Sequence, residues 1–200
     1  MDTIVKVLVE GYAKEVKRGW IASSTTTLIK ESGKNVLVDP GKNKNLLLKR
    51  LEIENLAIDN IDVVFISHYH PDHVFLASIF NKASVVDGST VYRNDKETEY
   101  NGNIPGTSIK VITTPGHTSE HCSLVVGTGI GIVAIAADVF WWTNKENQEV
   151  KSIRSLIYKK DPFAQDQIAL VNSRKKVLSI ADWIIPGHGR MFKNPTKPLE

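Results

Sequence analysis

Residues 67–73 read Ser-His-Tyr-His-Pro-Asp-His (SHYHPDH) and follow directly on the apolar run Val63-Val64-Phe65-Ile66. The run is β-branched and aromatic, which suits a buried strand. Pro71 fits the first position of a helix, where its missing N–H costs nothing. The segment therefore reads strand, turn, helix. His68 and His70 turn to one side of the strand-end loop, while Asp72 and His73 begin the helix and point elsewhere. One short segment can thus serve two neighbouring centres.

Working outward, the chain has six histidines, and the other three also lie in turns beside strand patterns. His117 and His121 fall in TPGHTSEH, and His188 in IPGHGR. Neutral imidazole suits zinc and other borderline divalent metals, and carboxylates complete such sites. His117 and His188 are single donors from distant turns that would close each centre. Asp138, in IAADVF, ends the apolar run GIVAIAA and is placed to bridge two ions.

H-x-H-x-D-H at 68–73, then PGHT, an Asp after an apolar strand, and PGHG resemble, in this order, the metallo-β-lactamase superfamily. The resemblance covers nearly the whole chain. It implies an α+β fold, a four-layer αβ/βα sandwich of two facing mixed sheets with helices outside. It implies one metal on His68, His70 and His117, a second on Asp72, His73 and His188, and Asp138 between them. Asp39, in VLVDPG, matches the family's early strand-end aspartate, which supports a ligand by accepting its hydrogen bond. Thr118 is expected to act in the same way. Two Zn2+ ions per chain are expected, with iron or manganese as alternatives. Two such ions would hold a hydroxide as nucleophile, with Asp72 and Asp138 as the catalytic carboxylates and Asp72 shuttling a proton.

The remaining residues set expectations about substrate and architecture. His121 is spare once the ligand set is filled and is expected beside the site. Cys122 opens an apolar strand and reads as core. Of Trp141 and Trp142, adjacent residues on a strand, one is expected to wall the cleft and the other to cover core. Trp20, in the loop after the first strand, is a candidate for the opposite wall.

Three function classes stay open. A phosphodiester or RNA substrate is suggested by the stretch SRKKVLSIADWIIPGHGRMF, which carries Arg174, Lys175 and Lys176 one helix before His188. That stretch resembles small metallo-β-lactamase-domain-containing proteins that include a proposed RNA-processing nuclease. With 49 residues between Asp138 and His188, the large insertion of the better-known nuclease branch is absent. A small-molecule thioester or lactone is suggested by PGHTSEH, which resembles glyoxalase II. With 12 residues after His188, that enzyme's C-terminal helical substrate domain is not expected. The third class is a mononuclear-iron sulfur dioxygenase; His70 speaks against the flavodiiron relatives.

Composition is ordinary for a folded globular protein. Hydrophobic residues make up 42% and charged residues 24% of 200 residues, enough for a sizeable core in one domain of two similar halves. The polar stretch Arg93–Gly106 is read as the junction between the halves. The single cysteine allows no internal disulfide. The N-terminal MDTIVKVLVEG lacks a secretory pattern, and no apolar run reaches a membrane span. The expectation is a cytoplasmic protein with no membrane partner. Net charge is +3, with 11 Lys+Arg against 6 Asp+Glu in residues 139–200. That basic excess reads as a solvated surface first and an anion-binding face second. Helices are expected over Asn43–Leu51, Asp72–Phe80 and Phe163–Ala181. In the last, Ile168, Val171, Leu178 and Ala181 share a face, with Arg174–Lys176 at polar positions. The stretch Thr143–Asp161 reads as a functional loop with a short helix.

Overall fold

The computed structural model describes residues 3–197. A first sheet of seven strands is built from β1 (Ile4–Val9), β4 (Thr26–Glu31), β5 (Lys34–Val38), β6 (Val63–Phe65), β7 (Ser84–Val86), β8 (Thr90–Arg93) and β9 (Lys96–Glu99), in that spatial order. The chain then crosses to a second sheet of β10 (Lys110–Thr113), β11 (Cys122–Thr128), β12 (Gly131–Trp141), β13 (Trp183–His188) and β14 (Phe192–Lys193). A separate hairpin, β2 (Tyr12–Val16) with β3 (Gly19–Ser23), completes the strands.

Both sheets are mixed. β5 runs parallel to β6 and β6 to β7, and β12 runs parallel to β13, while the other pairs are antiparallel. Parallel neighbours need crossovers, and the helices supply them. These are α1 (Lys44–Ile53), a short α2 (Pro71–Val74), α3 (Ile153–Tyr158) and α4 (Gln167–Ile180).

Side chains alternate between faces with the two-residue period of a strand. On β5, Val36 and Val38 point into the layer between the sheets, whereas Leu37 points outward beneath α1 with Leu47 and Leu51. On β12, Val133 and Ile135 face the first sheet, while Ala134 and Ala136 face outward toward Leu156 of α3 and Val177 and Leu178 of α4. Three apolar layers therefore separate helices, sheet, sheet and helices, the expected sandwich. Residues that alternate this way are buried on both faces, which is why these strands read as continuous apolar runs.

The structure also corrects several expectations. The polar stretch 93–106 is not a plain junction. It contains β9, an edge strand whose four residues are all exposed, and the changeover between sheets falls between Glu99 and Lys110. Trp20 lies within β3 rather than in a loop. The expected second helix is shorter: α2 spans four residues, and a separate 3-10 turn covers Ala77–Ile79. The face of α4 is shifted. Ile168 is 78% exposed, whereas Leu170, Ser173, Arg174, Val177 and Leu178 are buried. Arg174 is thus interior, and its Nε donates to the Val139 carbonyl at 2.9 Å and its Nη1 to the carbonyls of Ile157 and Lys159. It gives no charge to an anion-binding surface.

Candidate metal centre

Four strand ends meet at one edge of the sandwich. On the first sheet, β5 and β6 run parallel and end together, so Asp39 and Ser67 emerge side by side. The Asp39 N–H donates to the Phe65 carbonyl at 2.9 Å. Asp39 takes a positive φ of 47°, which aims its carboxylate at the next turn. There it accepts the Ser67 N–H at 2.8 Å and the Ser67 hydroxyl at 2.7 Å. The turn then presents His68 and His70, and α2 opens with Pro71 at its first position, carrying Asp72 and His73 inward.

The second sheet supplies the rest. His117 sits in the loop between β10 and β11, where Gly116 packs so tightly on the backbone of Leu170 that a Cβ there would overlap it. β12 does not stop at Ala136 as its apolar run suggests, but continues to Trp141. Its register with β13 slips on either side of Ala137, which has φ 44°. The bulge turns Asp138 into the cleft. His188 ends the neighbouring β13.

The seven donors form two groups, each with ligand atoms within 4.8 Å of one another: His68, His70, His117 and Asp138, and Asp72, His73 and His188. In the first, His70 Nδ1 lies 3.0 Å from both His68 Nε2 and His117 Nε2. In the second, His188 Nε2 lies 3.2 Å from Asp72 Oδ2. Asp138 spans them. Its Oδ2 is 3.2 Å from His117 Nε2, and its Oδ1 is 3.2 Å from His73 Nε2 and 3.8 Å from His188 Nε2.

Hydrogen bonds behind the donors set their tautomers. Asp39 Oδ2 lies 2.8 Å from His73 Nδ1, so Nδ1 carries the proton and Nε2 is bare. Ser67 gives its only hydroxyl proton to Asp39 and must accept from His68 Nδ1, 3.0 Å away, which bares His68 Nε2. Asp161 Oδ2 accepts from His117 Nδ1 at 2.7 Å, with the same result. In these neutral tautomers three lone pairs face one carboxylate, a repulsion that is relieved by a proton or by a metal cation between them. His73 Nε2 and Asp138 Oδ1 are buried without a hydrogen-bond partner despite their proximity. Nitrogen and carboxylate donors held this way by carboxylates and a hydroxyl fit a divalent ion.

The pKa values express the same need for positive charge. Burial opposes a charge on His73 and on His117. Asp138 and Asp39 outweigh it for the first, raising it well above the usual value. Asp138 and Asp161 outweigh it for the second, raising it to about 9. Asp138 is buried, yet His73 and His188 hold its carboxyl well below the usual range.

Of the other expected residues, Asp39 lies behind His73, its Oδ2 2.8 Å from His73 Nδ1. The Thr118 hydroxyl is buried without a hydrogen-bond partner, so the orienting bond expected from it is not made. His121 is fully buried behind the first group, its ring 4.9 Å from His68 and its Nδ1 2.9 Å from Thr114 Oγ1. Burial lowers its pKa to about 3, which keeps it neutral. Cys122 is core. Asp161 was not foreseen. It ends the 143–161 loop, and no spacing in the sequence links it to His117. Ser67 lay inside the opening stretch with no role assigned.

Five of the seven candidate donors, His70, Asp72, His117, Asp138 and His188, floor a cleft of about 340 Å³. Trp20, Trp141 and Phe163 line it, with Phe163 5.9 Å from Trp20 and 5.7 Å from Trp141 between ring centres. Trp142 points the other way, into the core with Phe140 and Phe192. Lys42 stands at the cleft wall.

Comparison with known proteins follows this geometry. A family model described as "Metallo-beta-lactamase superfamily" matches residues 20–107. Metallo-beta-lactamase domain-containing protein 1 of Xenopus laevis is 31% identical over 199 residues, covering 94% of this chain and 81% of the relative. A solved Thermotoga maritima protein assigned to the metallo-β-lactamases superposes with a TM-score of 0.70 at 19% identity, over 96% of this chain and 100% of the other. AidC, a dizinc quorum-quenching lactonase, superposes with a TM-score of 0.58 at 17% identity, over 84% of this chain and 74% of its own. The structural likenesses carry the fold, and the sequence relative carries the family. The chain belongs to the metallo-β-lactamase superfamily of metal-dependent hydrolases.

Proposed function

We propose that the protein is a binuclear zinc hydrolase of a small ester, thioester or lactone. The observation that carries this reading is the position of Asp138, with one carboxylate oxygen on each donor group. His68, His70 and His117 would hold one ion, Asp72, His73 and His188 the other, and Asp138 both. When bound, such ions supply a water ionised near neutrality and positive charge for a developing oxyanion.

The chain's own residues do the rest. Asp39, Ser67 and Asp161 fix the imidazoles. Asp72 is partly exposed to the cleft, and although burial opposes its ionisation, His188 and His73 lower its pKa. An ionised Asp72 would orient the nucleophile by accepting its hydrogen bond, take up that proton on its carboxylate oxygen as the nucleophile attacks, and then deliver it to the leaving group. Trp20, Trp141 and Phe163 hold the apolar part of the substrate and exclude water.

A small substrate is favoured over RNA by the fate of the basic helix. Arg174 is interior, and Lys176 Nζ donates to the Thr113 carbonyl at 2.9 Å. The helix therefore presents two exposed lysines, Lys175 and Lys176, rather than the three-residue basic run of the sequence, a short track for a phosphate backbone. No helix among the described residues is long and apolar enough to cross a membrane. We assign the protein to the cytoplasm on its single cysteine.

The test is a parallel hydrolysis screen of thioester, lactone, nitrophenyl ester and phosphodiester probes, using protein of known metal content. Two zinc ions per chain and turnover of an ester-type probe are expected, with both lost in Asp138→Ala. One iron with oxygen consumption would refute the hydrolytic reading in favour of a sulfur dioxygenase. An Asp138→Ala protein that keeps two ions would refute the bridging role.

A further inference from the structure

We propose that Lys42 determines substrate specificity: the substrate carries an anionic group, which the Lys42 ammonium holds while an apolar part lies on Trp20, Trp141 and Phe163. This rests on the hydrolase reading above and adds the substrate's charge to it.

Lys42 follows β5 by way of Asp39, Pro40 and Gly41. Its position is set from both sides of the cleft. The Gly41 N–H donates to the His73 carbonyl at 3.3 Å, and the Lys42 N–H donates to Ser23 Oγ at 3.0 Å. The first bond ties the turn to the ligand segment, the second to the hairpin that carries Trp20. Lys42 lines the cleft together with Trp20, Asp72 and His188, and also the adjoining groove beside Tyr12 and Asn43. It is the only lysine or arginine among the described residues lining that cleft.

Two other lysines on the Trp141 side of the cleft are occupied. Lys159 pairs with Glu146 and lies over the rings of Trp141 and Trp142, and Lys145 pairs with Glu15. Lys42 Nζ makes no ion pair, side-chain hydrogen bond or ring contact among the described residues.

The charge balance of the centre gives this lysine its meaning. Asp39, Asp72, Asp138 and Asp161 bring four negative charges. Two divalent ions would bring four positive charges. Histidines that donate one nitrogen's proton to a protein acceptor and turn the other to an ion are neutral. With a neutral water the loaded centre would carry no net charge, and with the ionised water it would carry −1, held at the ions. Lys42 is the one cationic Lys or Arg side chain lining the cleft among the described residues, unpaired and open to a substrate anion. An unpaired cation at the edge of a partly apolar pocket attracts an anion and fixes its orientation. A lysine, being a point charge on a flexible stem, suits a terminal carboxylate or phosphate without demanding one geometry.

The test uses two esters of equal length and the same leaving group, mono-(4-nitrophenyl) succinate and 4-nitrophenyl butyrate, which differ in one terminal carboxylate. Zinc-loaded wild type, Lys42→Met and Lys42→Arg are compared at equal metal content. The ratio of kcat/KM for the anionic ester to that for the neutral ester should fall roughly ten-fold in Lys42→Met, mainly through KM. Lys42→Arg should keep it. Added NaCl should lower the ratio in wild type and move it little in Lys42→Met. An unchanged ratio in Lys42→Met with two ions bound would overturn the assignment while leaving the hydrolase intact. Turnover of neither ester by the loaded wild type would overturn the ester-hydrolase reading, and this inference with it.

Discussion

Asp161 offers the sharpest test of how the centre is built. Its Oδ2 accepts the His117 Nδ1 proton at 2.7 Å, and both side chains are essentially closed to solvent. Replacement by asparagine keeps the shape but removes the charge. It also lets the amide present an N–H to Nδ1, which would drive the proton to Nε2, the nitrogen that faces the donor group. Partners of this kind contribute about 10–100-fold in metal affinity, or about 1.4–2.7 kcal/mol. Because no water can replace the carboxylate here, the upper half of that range is expected. The effect should also be one-sided. His117 belongs with His68, His70 and Asp138, whereas Asp72, His73 and His188 contact other residues. Competition between metal-free protein and a chromophoric zinc chelator should resolve two steps, with one weakened roughly 30–100-fold in Asp161→Asn and the other nearly unmoved. The pH dependence has a definite sign. His117 is raised to about 9, so in the metal-free protein it carries a proton below that pH and an entering ion must displace it. Apparent affinity at this site should rise with pH up to about 9 in wild type and level off at lower pH in the variant. Equal weakening of both sites, or of neither, in a variant with native circular dichroism would refute the reasoning.

Three further outcomes are expected. A Cβ on Gly187 would overlap Asp138 Oδ1, so Gly187→Ala should cost both ions by displacing the shared carboxylate; retention of two ions at native affinity would show that β12 can yield. His121→Ala should keep two ions per chain while lowering unfolding free energy by about 2–4 kcal/mol for a buried ring removed, measured in urea; loss of one ion would put His121 among the donors. Burial, and the carboxylates of Asp87, Asp39 and Glu120, push the Cys122 thiol up to about 12. Its contribution to stability is therefore complete below the unfolded thiol's pKa near 9 and is lost as pH rises through about 12. At pH 8 iodoacetamide should modify it at least roughly a hundred-fold more slowly in the native protein than in urea, and equal rates would contradict its burial.

Six of the seven candidate donors were legible because they sit in or beside turns that strand patterns announce by a change from apolar to turn residues, and Asp138 because it is an acid closing an apolar run, although its strand continues to Trp141. Asp161 was not legible, since it reaches His117 across a loop whose path no local pattern encodes. The β2–β3 hairpin escaped notice for a different reason. GYAKEVKRGWIAS forms a hairpin whose strands join neither large sheet and leave most side chains in solvent, so it carries little apolar alternation. Arg174 was misread because a helical face was phased on Ile168, which lies in the first turn of α4 and packs on nothing, whereas the real face begins at Leu170. Once rephased, an arginine falls on the core side, where three carbonyls accept from its Nε and Nη1. The bulge at Ala137 was equally silent, since alanine at a positive φ leaves no mark on the sequence.

The unequal exposure of the seven donors bears on exchange kinetics. His68, His73, His117, Asp138 and His188 are buried, and only His70 and Asp72 are partly open, both toward the cleft. Backbone bonds seal the rear independently of any ion, with the Cys122 N–H on the Ser67 carbonyl and the Thr25 N–H on the Gly187 carbonyl. An ion therefore has one door, and the substrate uses the same one. A chelator should strip the resting protein through that opening and be slowed in proportion to the fraction of clefts a substrate or product occupies. Protection from chelation then becomes a way of detecting ligands that are bound but never turned over.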